Sequence, residues 1–191
     1  MKPDVVITAC PDYSERTVRA ALEAVLAPLG GLDWVTPGMC IAIKANLVTF
    51  MKPEGAATTH PSLLCALVKV LAERGADVVV GDSPGGLYNA AFVNRVYAAT
   101  GMKAVEQAGG RPNCNFEEKD AEFPEAKVCR TFRYTAWLDE ADAIIDFCKL
   151  KTHGMMAMTC GAKNMFGAIP GTIKPEYHFR YPDPRDFARM I

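Results

Sequence analysis

"ADVVVGDSPGG", residues 76–86, is the stretch from which the rest of the chain is best read. Its three consecutive valines are β-branched and favour extended backbone. The run is apolar without alternation, the pattern of a strand covered on both faces. It then breaks into Asp82, Ser83, a proline and two glycines, a loop that lets a ligand approach the backbone closely. Helical periodicity lies on either side. Before it, Leu64, Leu67, Val68 and Leu71 share one face behind Pro61, with Gly75 as the stop; after it, residues 90–100 read as a further helix. A buried strand between two helices is the repeating unit of a parallel sheet.

The same grammar recurs in both directions. "MCIAIKANLV" (39–48) is a strand running into a loop, and "ADAIIDFCKLKTH" (141–153) is a strand ending in a basic motif. From Ser14, the residues Val18, Ala21, Leu22, Val25, Leu26 and Leu29 fall at helical spacing until Gly30 and Gly31. "DVVITA" (4–9) reads as a first strand, and a short helix follows Gly101. Residues 110–126, with "EEKD" and two prolines, read as an exposed excursion, and "KVCRTFRYTAWL" (127–138) as an edge strand. Beyond Pro182 a last helix places Phe187, Met190 and Ile191 on one face. The predicted fold is a three-layer α/β/α domain with a mainly parallel sheet, a single domain over residues 1–191.

Composition narrows the function classes. A chain of 191 residues can bury a substantial core, and with half its residues hydrophobic and 23% charged it has ordinary globular composition. A net charge of −1 without a basic block gives no footprint for nucleic acid. The apolar runs fall far short of a membrane span. "ITAC" before Cys10 imitates a lipoprotein cleavage site, but Asp4 interrupts the few residues ahead of it, so a cytoplasmic protein is expected. The closest of the seven cysteines, Cys148 and Cys160, are twelve positions apart. That spacing excludes a C-x-x-C motif or a zinc or iron–sulfur cassette and suggests reduced, mostly buried thiols.

The chemistry is expected where the strands end. In open α/β sheets, ligands bind outside the carboxyl ends of the strands. "KANL", "GDSPGG" and "KLKTH" each follow a strand, so one sheet edge would gather Lys44, Asn46, Asp82, Ser83, Lys149, Lys151 and His153. Downstream, residues 149–178 hold four lysines and two of the chain's three histidines, with no aspartate and one glutamate. Lone lysines without acids point to a bound anion, a metal or both, because a buried ammonium without a partner is costly. Each residue also has a plainer reading. Asp82 caps the next helix, Lys44 snorkels at a strand end, and His60 in "TTHPS" belongs to a helix start. The methionines of 155–165 are packing rather than soft-metal ligands. His153, Lys163 and His178 strengthen one another, since imidazole serves as base or ligand and a desolvated lysine as nucleophile or anchor. The three glycines of "GAKNMFGAIPG" let backbone come close to a bound group.

Taken together, "IKANLV", "TTHPSLL", "GADVVVGDSPGG", "FCKLKTH" and "GAKNMFGAIPG…K…YH" resemble, in order and content over nearly the whole chain, the bacterial and archaeal family catalogued as domain of unknown function 362. That resemblance implies a ferredoxin-type segment or partner, and a 4Fe–4S cluster only where a Cys-rich segment lies further along. This chain stops before such a segment, so it is expected to be an incomplete version of a longer family domain. More distantly, H-x9-K-x14-H with "GAK" and "IPG" around the lysine is similar to the core of nickel-dependent lactate racemase. There the resemblance implies Lys163 as attachment point of a nicotinate-derived nickel cofactor, His178 as metal ligand, and His153 and His60 as acid and base.

The combined expectation is an enzyme or redox-linked protein handling a small anionic molecule, with a carboxylate first. Lys44, Lys149 and Lys151 would hold the anion, Asn46, Asp82 and Ser83 would line its site, and His60 and His153 would move protons. His178 and Lys163 would hold a cofactor or a divalent metal: nickel, iron or zinc. The competing expectation is a non-catalytic anion- or metal-binding module working with a ferredoxin-type partner.

Overall fold

A computed structural model describes residues 4–191. In chain order the strands are β1 (Cys40–Lys44), β2 (Asp77–Gly81), β3 (Arg111–Pro112), β4 (Glu118–Glu122), β5 (Thr131–Thr135), β6 (Ala143–Asp146), β7 (Lys151–His153) and β8 (Ala157–Thr159). The α-helices are α1 (Glu15–Leu26), α2 (Pro61–Ala72), α3 (Ala90–Ala99), α4 (Gly161–Met165), α5 (Lys174–Arg180) and α6 (Pro184–Met190).

The main sheet has the order β3-β2-β1-β6, and every pairing in it is parallel. In β1, Ile41, Ala42 and Ile43 face Val78, Val79 and Val80 on one side and Ala143, Ile144 and Ile145 on the other. Ile41, Ile43, Val78 and Val80 are fully buried. Each such side chain contributes about 1.5–3 kcal/mol relative to exposure. Helices cover the sheet in the three-layer α/β/α arrangement that the strand–helix alternation predicts. Local sequence sets their ends. The Ser14 side chain accepts the Thr17 N–H at the start of α1, and the chain turns left-handed at Gly30 (φ 96°) beyond it. His60 caps α2, with Pro61 in its first turn, and Asn89 caps α3 by accepting the Phe92 N–H.

The strand order positions the site. From β1 the chain steps outward to β2 and β3, then crosses to place β6 on the opposite side of β1. The segments after β1 and β6 therefore part at the carboxyl end of the sheet, which opens a crevice there.

Four expectations need correction. "DVVITA" is not a strand: residues 4–9 pair with nothing among the described residues, and Val5 and Ile7 are largely exposed. The sheet ends at β3 and β6, and β-branched residues form a strand only where a ladder partner exists. Residues 110–126 are not wholly an excursion, since Arg111 and Pro112 extend the sheet edge and Asn113 is buried beneath it. The strand within 127–138 is β5, on no edge of the main sheet but paired antiparallel with β4 as a separate ribbon. The predicted strand 141–153 divides. β6 ends where the Phe147 N–H donates to the Lys44 carbonyl, and the chain then turns into the β7–β8 hairpin. A second apolar cluster of Cys129, Phe166, Ile169, Tyr177 and Phe187 joins the ribbon to the C-terminal helices.

Candidate functional site

At the floor of the crevice, Lys44 and Asp82 form a buried ion pair, Nζ to Oδ1 at 2.6 Å, with both side chains almost inaccessible. Lys44 also donates to the Ala45 carbonyl at 2.7 Å, and the second Asp82 oxygen accepts the Leu47 N–H at 2.8 Å. Strands β1 and β2 are in register at Lys44 and Gly81, so the pair bridges the ends of adjacent strands. Asn164 of α4 knits the third side. Its amide donates to the Lys44 carbonyl at 3.2 Å and to Asp146 at 2.5 Å, and its oxygen accepts from Asn46 at 3.0 Å. Burial raises the Asp146 carboxyl above its usual range, opposed by the Asn164 hydrogen bond.

The glycines of the 161–171 segment serve this packing. A Cβ at Gly167 would collide with Lys44 Nζ and come within 2.6 Å of Asp82 Oδ1, and one at Gly171 would strike the carbonyls of Pro84 and Gly86. In this structure the space they leave is filled by the ion pair and the 84–86 backbone, rather than being left for a bound group.

Above the floor lies a cavity of about 240 Å³. Lys151, Lys163 and Lys174 line it with His153, His178, Asn46 and Ser83, and Asp82 is its one acidic residue. Lys151 donates to Asn46 Oδ1 at 2.6 Å and to the Ala57 carbonyl at 2.5 Å. Lys174 donates to the Ser83 carbonyl. Lys163 lies over the Phe166 ring at 4.6 Å and the Phe187 ring at 5.7 Å. None of these three has a carboxylate partner among the described residues. Burial lowers the pKa of all three; the Asp82 carboxylate opposes it and a neighbouring lysine adds to it in each case, and Lys174 falls to about 7. Ser83 adds a buried hydroxyl whose Oγ has no hydrogen-bond partner among the described residues.

The histidines are held by packing. His153 Nδ1 accepts the N–H groups of Met155 and Met156, both at 3.2 Å, so the neutral ring carries its proton on Nε2. His178 stacks on Phe187 at 4.3 Å with the rings 4° apart. Burial lowers both pKa values. Lys163 and then Lys151 add to the effect at His153, and Lys163 and then His153 at His178. Both rings are therefore neutral at pH 7.

Of the residues singled out in the sequence, the cavity brings together Asn46, Asp82, Ser83, Lys151, His153, Lys163 and His178. Lys44 lies beneath it, committed to Asp82. His60 and Lys149 do not line it. His60 caps α2 through Nδ1 and stacks on Tyr13 at 3.6 Å, and its pKa is lowered by burial first and then by Lys149. Lys174 and Asn164 were missed. Lys174 stands one helical turn before His178, an i, i+4 spacing that was visible but carried no strand-end signal. The cysteines differ from expectation too: all seven are free, but only Cys129 is buried. Among the described residues, no group of three or more His, Cys, Asp or Glu side chains converges as a metal site. Nor is any helix long and apolar enough to cross a membrane.

The family model described as "Domain of unknown function (DUF362)" matches residues 41–191. A protein of Synechocystis sp. named as thylakoid-associated is 29% identical over the whole of this chain, which spans 59% of that relative's length. No solved structure matches.

Proposed function

The chain belongs to the DUF362 family, and on that premise we propose that it binds a small carboxylate in the cavity at the sheet's carboxyl edge and moves protons on it. The carrying observation is the charge of the lining: three lysines without carboxylate partners converge there, while the one acid is already neutralised by Lys44. A carboxylate seated among Lys151, Lys163 and Lys174 would restore charge balance and draw on charge-assisted hydrogen bonds of about 1.5–3 kcal/mol each. The unpaired Ser83 hydroxyl offers one more donor.

In this reading His153 offers its Nε2–H as a neutral hydrogen-bond donor to the bound carboxylate. His178, with no hydrogen bond to its ring among the described residues, serves as the base. Their lowered pKa values keep the base deprotonated at neutral pH, as general base catalysis requires. The Phe166 and Phe187 rings hold Lys163 and His178 in place and exclude water.

A metal held by His178 remains the second reading, favoured by the convergence of His153, Lys163 and His178 in one cavity. Among the described residues no third His, Cys, Asp or Glu joins the two histidines, and catalytic zinc sites take three protein ligands, so in this reading the metal would bring further ligands with it. Four thiolates for an iron–sulfur cluster are likewise not grouped among the described residues.

The test is isothermal titration with acetate, oxalate, malonate and inorganic phosphate, followed by NMR of acetate and malonate in D2O for exchange at the carbon next to the carboxylate. Binding that falls at least tenfold in Lys163→Met, with exchange lost in His178→Gln, supports the reading. Binding without exchange favours the accessory-module reading, and no binding by any of the four anions rejects both.

A further inference from the structure

Twelve positions apart in the chain, Cys148 and Cys160 place their sulfurs 3.6 Å from each other, both partly buried and both free. We propose that these two thiols are a reversible disulfide site, which when oxidised tethers the helix carrying Lys163 and Asn164 to the end of β6. The inference stands apart from the anion reading and uses none of its residues as chemistry.

The surroundings make the pair more than a chance approach. Cys148 follows Phe147, whose N–H closes the parallel ladder on the Lys44 carbonyl, so its backbone is anchored to the sheet. Cys160 is the N-cap of α4, and its carbonyl accepts the Asn164 N–H at 2.8 Å. The start of α4 already lies against β6, since a Cβ at Gly161 would sit 3.5 Å from Asp146 Oδ2. A disulfide requires the sulfurs to approach to about 2.05 Å. From 3.6 Å, already van der Waals contact for two sulfurs, the remaining closure is about 1.5 Å.

The oxidant is a low-molecular-weight disulfide. One cysteine thiolate attacks a sulfur of RSSR, forming a mixed disulfide and expelling RS⁻. The second cysteine thiolate then attacks the protein sulfur of that mixed disulfide and expels the other RS⁻. Two protein thiols are oxidised, RSSR is reduced to two RSH, and the thiol protons pass to the leaving thiolates. Burial, and then Cys160, push the Cys148 thiol up to about 11. Exchange therefore quickens as pH rises and more thiolate forms.

The experiment equilibrates the full chain with oxidised and reduced glutathione, alkylates the remaining thiols and maps the peptides by mass spectrometry. The expected result is a peptide pair linked through Cys148 and Cys160, reversed by dithiothreitol. A ring this size raises the thermal midpoint by roughly 5–10 °C on oxidation. Wild-type mapping alone decides the matter even if Cys148→Ser or Cys160→Ser fails to fold, and it needs no anion. Absence of that link at an oxidising ratio that links the urea-unfolded chain overturns the proposal. So does preferential linkage to one of the other five cysteines, or a midpoint that falls on oxidation.

Discussion

Replacing Lys44 with methionine tests whether the crevice is built on its ion pair. Lys44 and Asp82 are 1% and 4% exposed and 2.6 Å apart, so water does not screen them. Methionine keeps most of the volume but leaves the buried Asp82 carboxylate with the Leu47 N–H as its hydrogen bond and no ammonium in ion-pair contact, the cavity lysines acting on it only from further off. Breaking a buried pair by removing one partner costs about 3–5 kcal/mol. For a chain of this length, about 2–4 °C of melting temperature is lost per kcal/mol, so a fall of roughly 10 °C is expected. The assay is urea denaturation of wild type, Lys44→Met, Asp82→Leu and the double variant. The double variant should recover most of the loss, because neither charge is then left alone in the interior. A Lys44→Met penalty under about 1 kcal/mol, or a double variant no better than the worse single one, would refute the reasoning.

Three further predictions come from the same geometry. Anion affinity should weaken as pH rises through about 7, where Lys174 loses its proton and the cavity loses a cation; titrations from pH 5.5 to 8.5 should show that step in wild type and not in Lys174→Met. Protonation of His153 and His178, whose pKa values lie below the ordinary histidine range, should strengthen binding further on the acid side. Gly167→Ala should destabilise by about 1–3 kcal/mol, since its methyl group would overlap Lys44 Nζ and Asp82 Oδ1; a denaturation curve matching wild type would show that the loop can move aside.

How much could be read in advance differs between elements. β1, β2 and their helices were legible because apolar runs, 3.6-residue periodicity, caps and glycine stops are local signals, and these same residues proved to be the core. "DVVITA" misled because its pattern is that of a strand, but strand formation depends on a partner the pattern does not name. The carboxyl edge was foreseen as the place of the site, and seven of the named residues do line its cavity.

By itself, then, the sequence determined the parallel α/β architecture and the edge at which its polar loops gather, since both follow from periodicity within short windows. Tertiary structure alone decided which lysine is neutralised and which remain free. Lys44 and Lys151 look alike as letters after strands, yet one meets Asp82 at 2.6 Å and the other meets only neutral oxygens. It also added Lys174, set His60 apart from the other two histidines, and brought Cys148 to Cys160. Charge pairing, desolvation and sulfur contact all depend on neighbours distant in the chain, and only the folded packing supplies those neighbours.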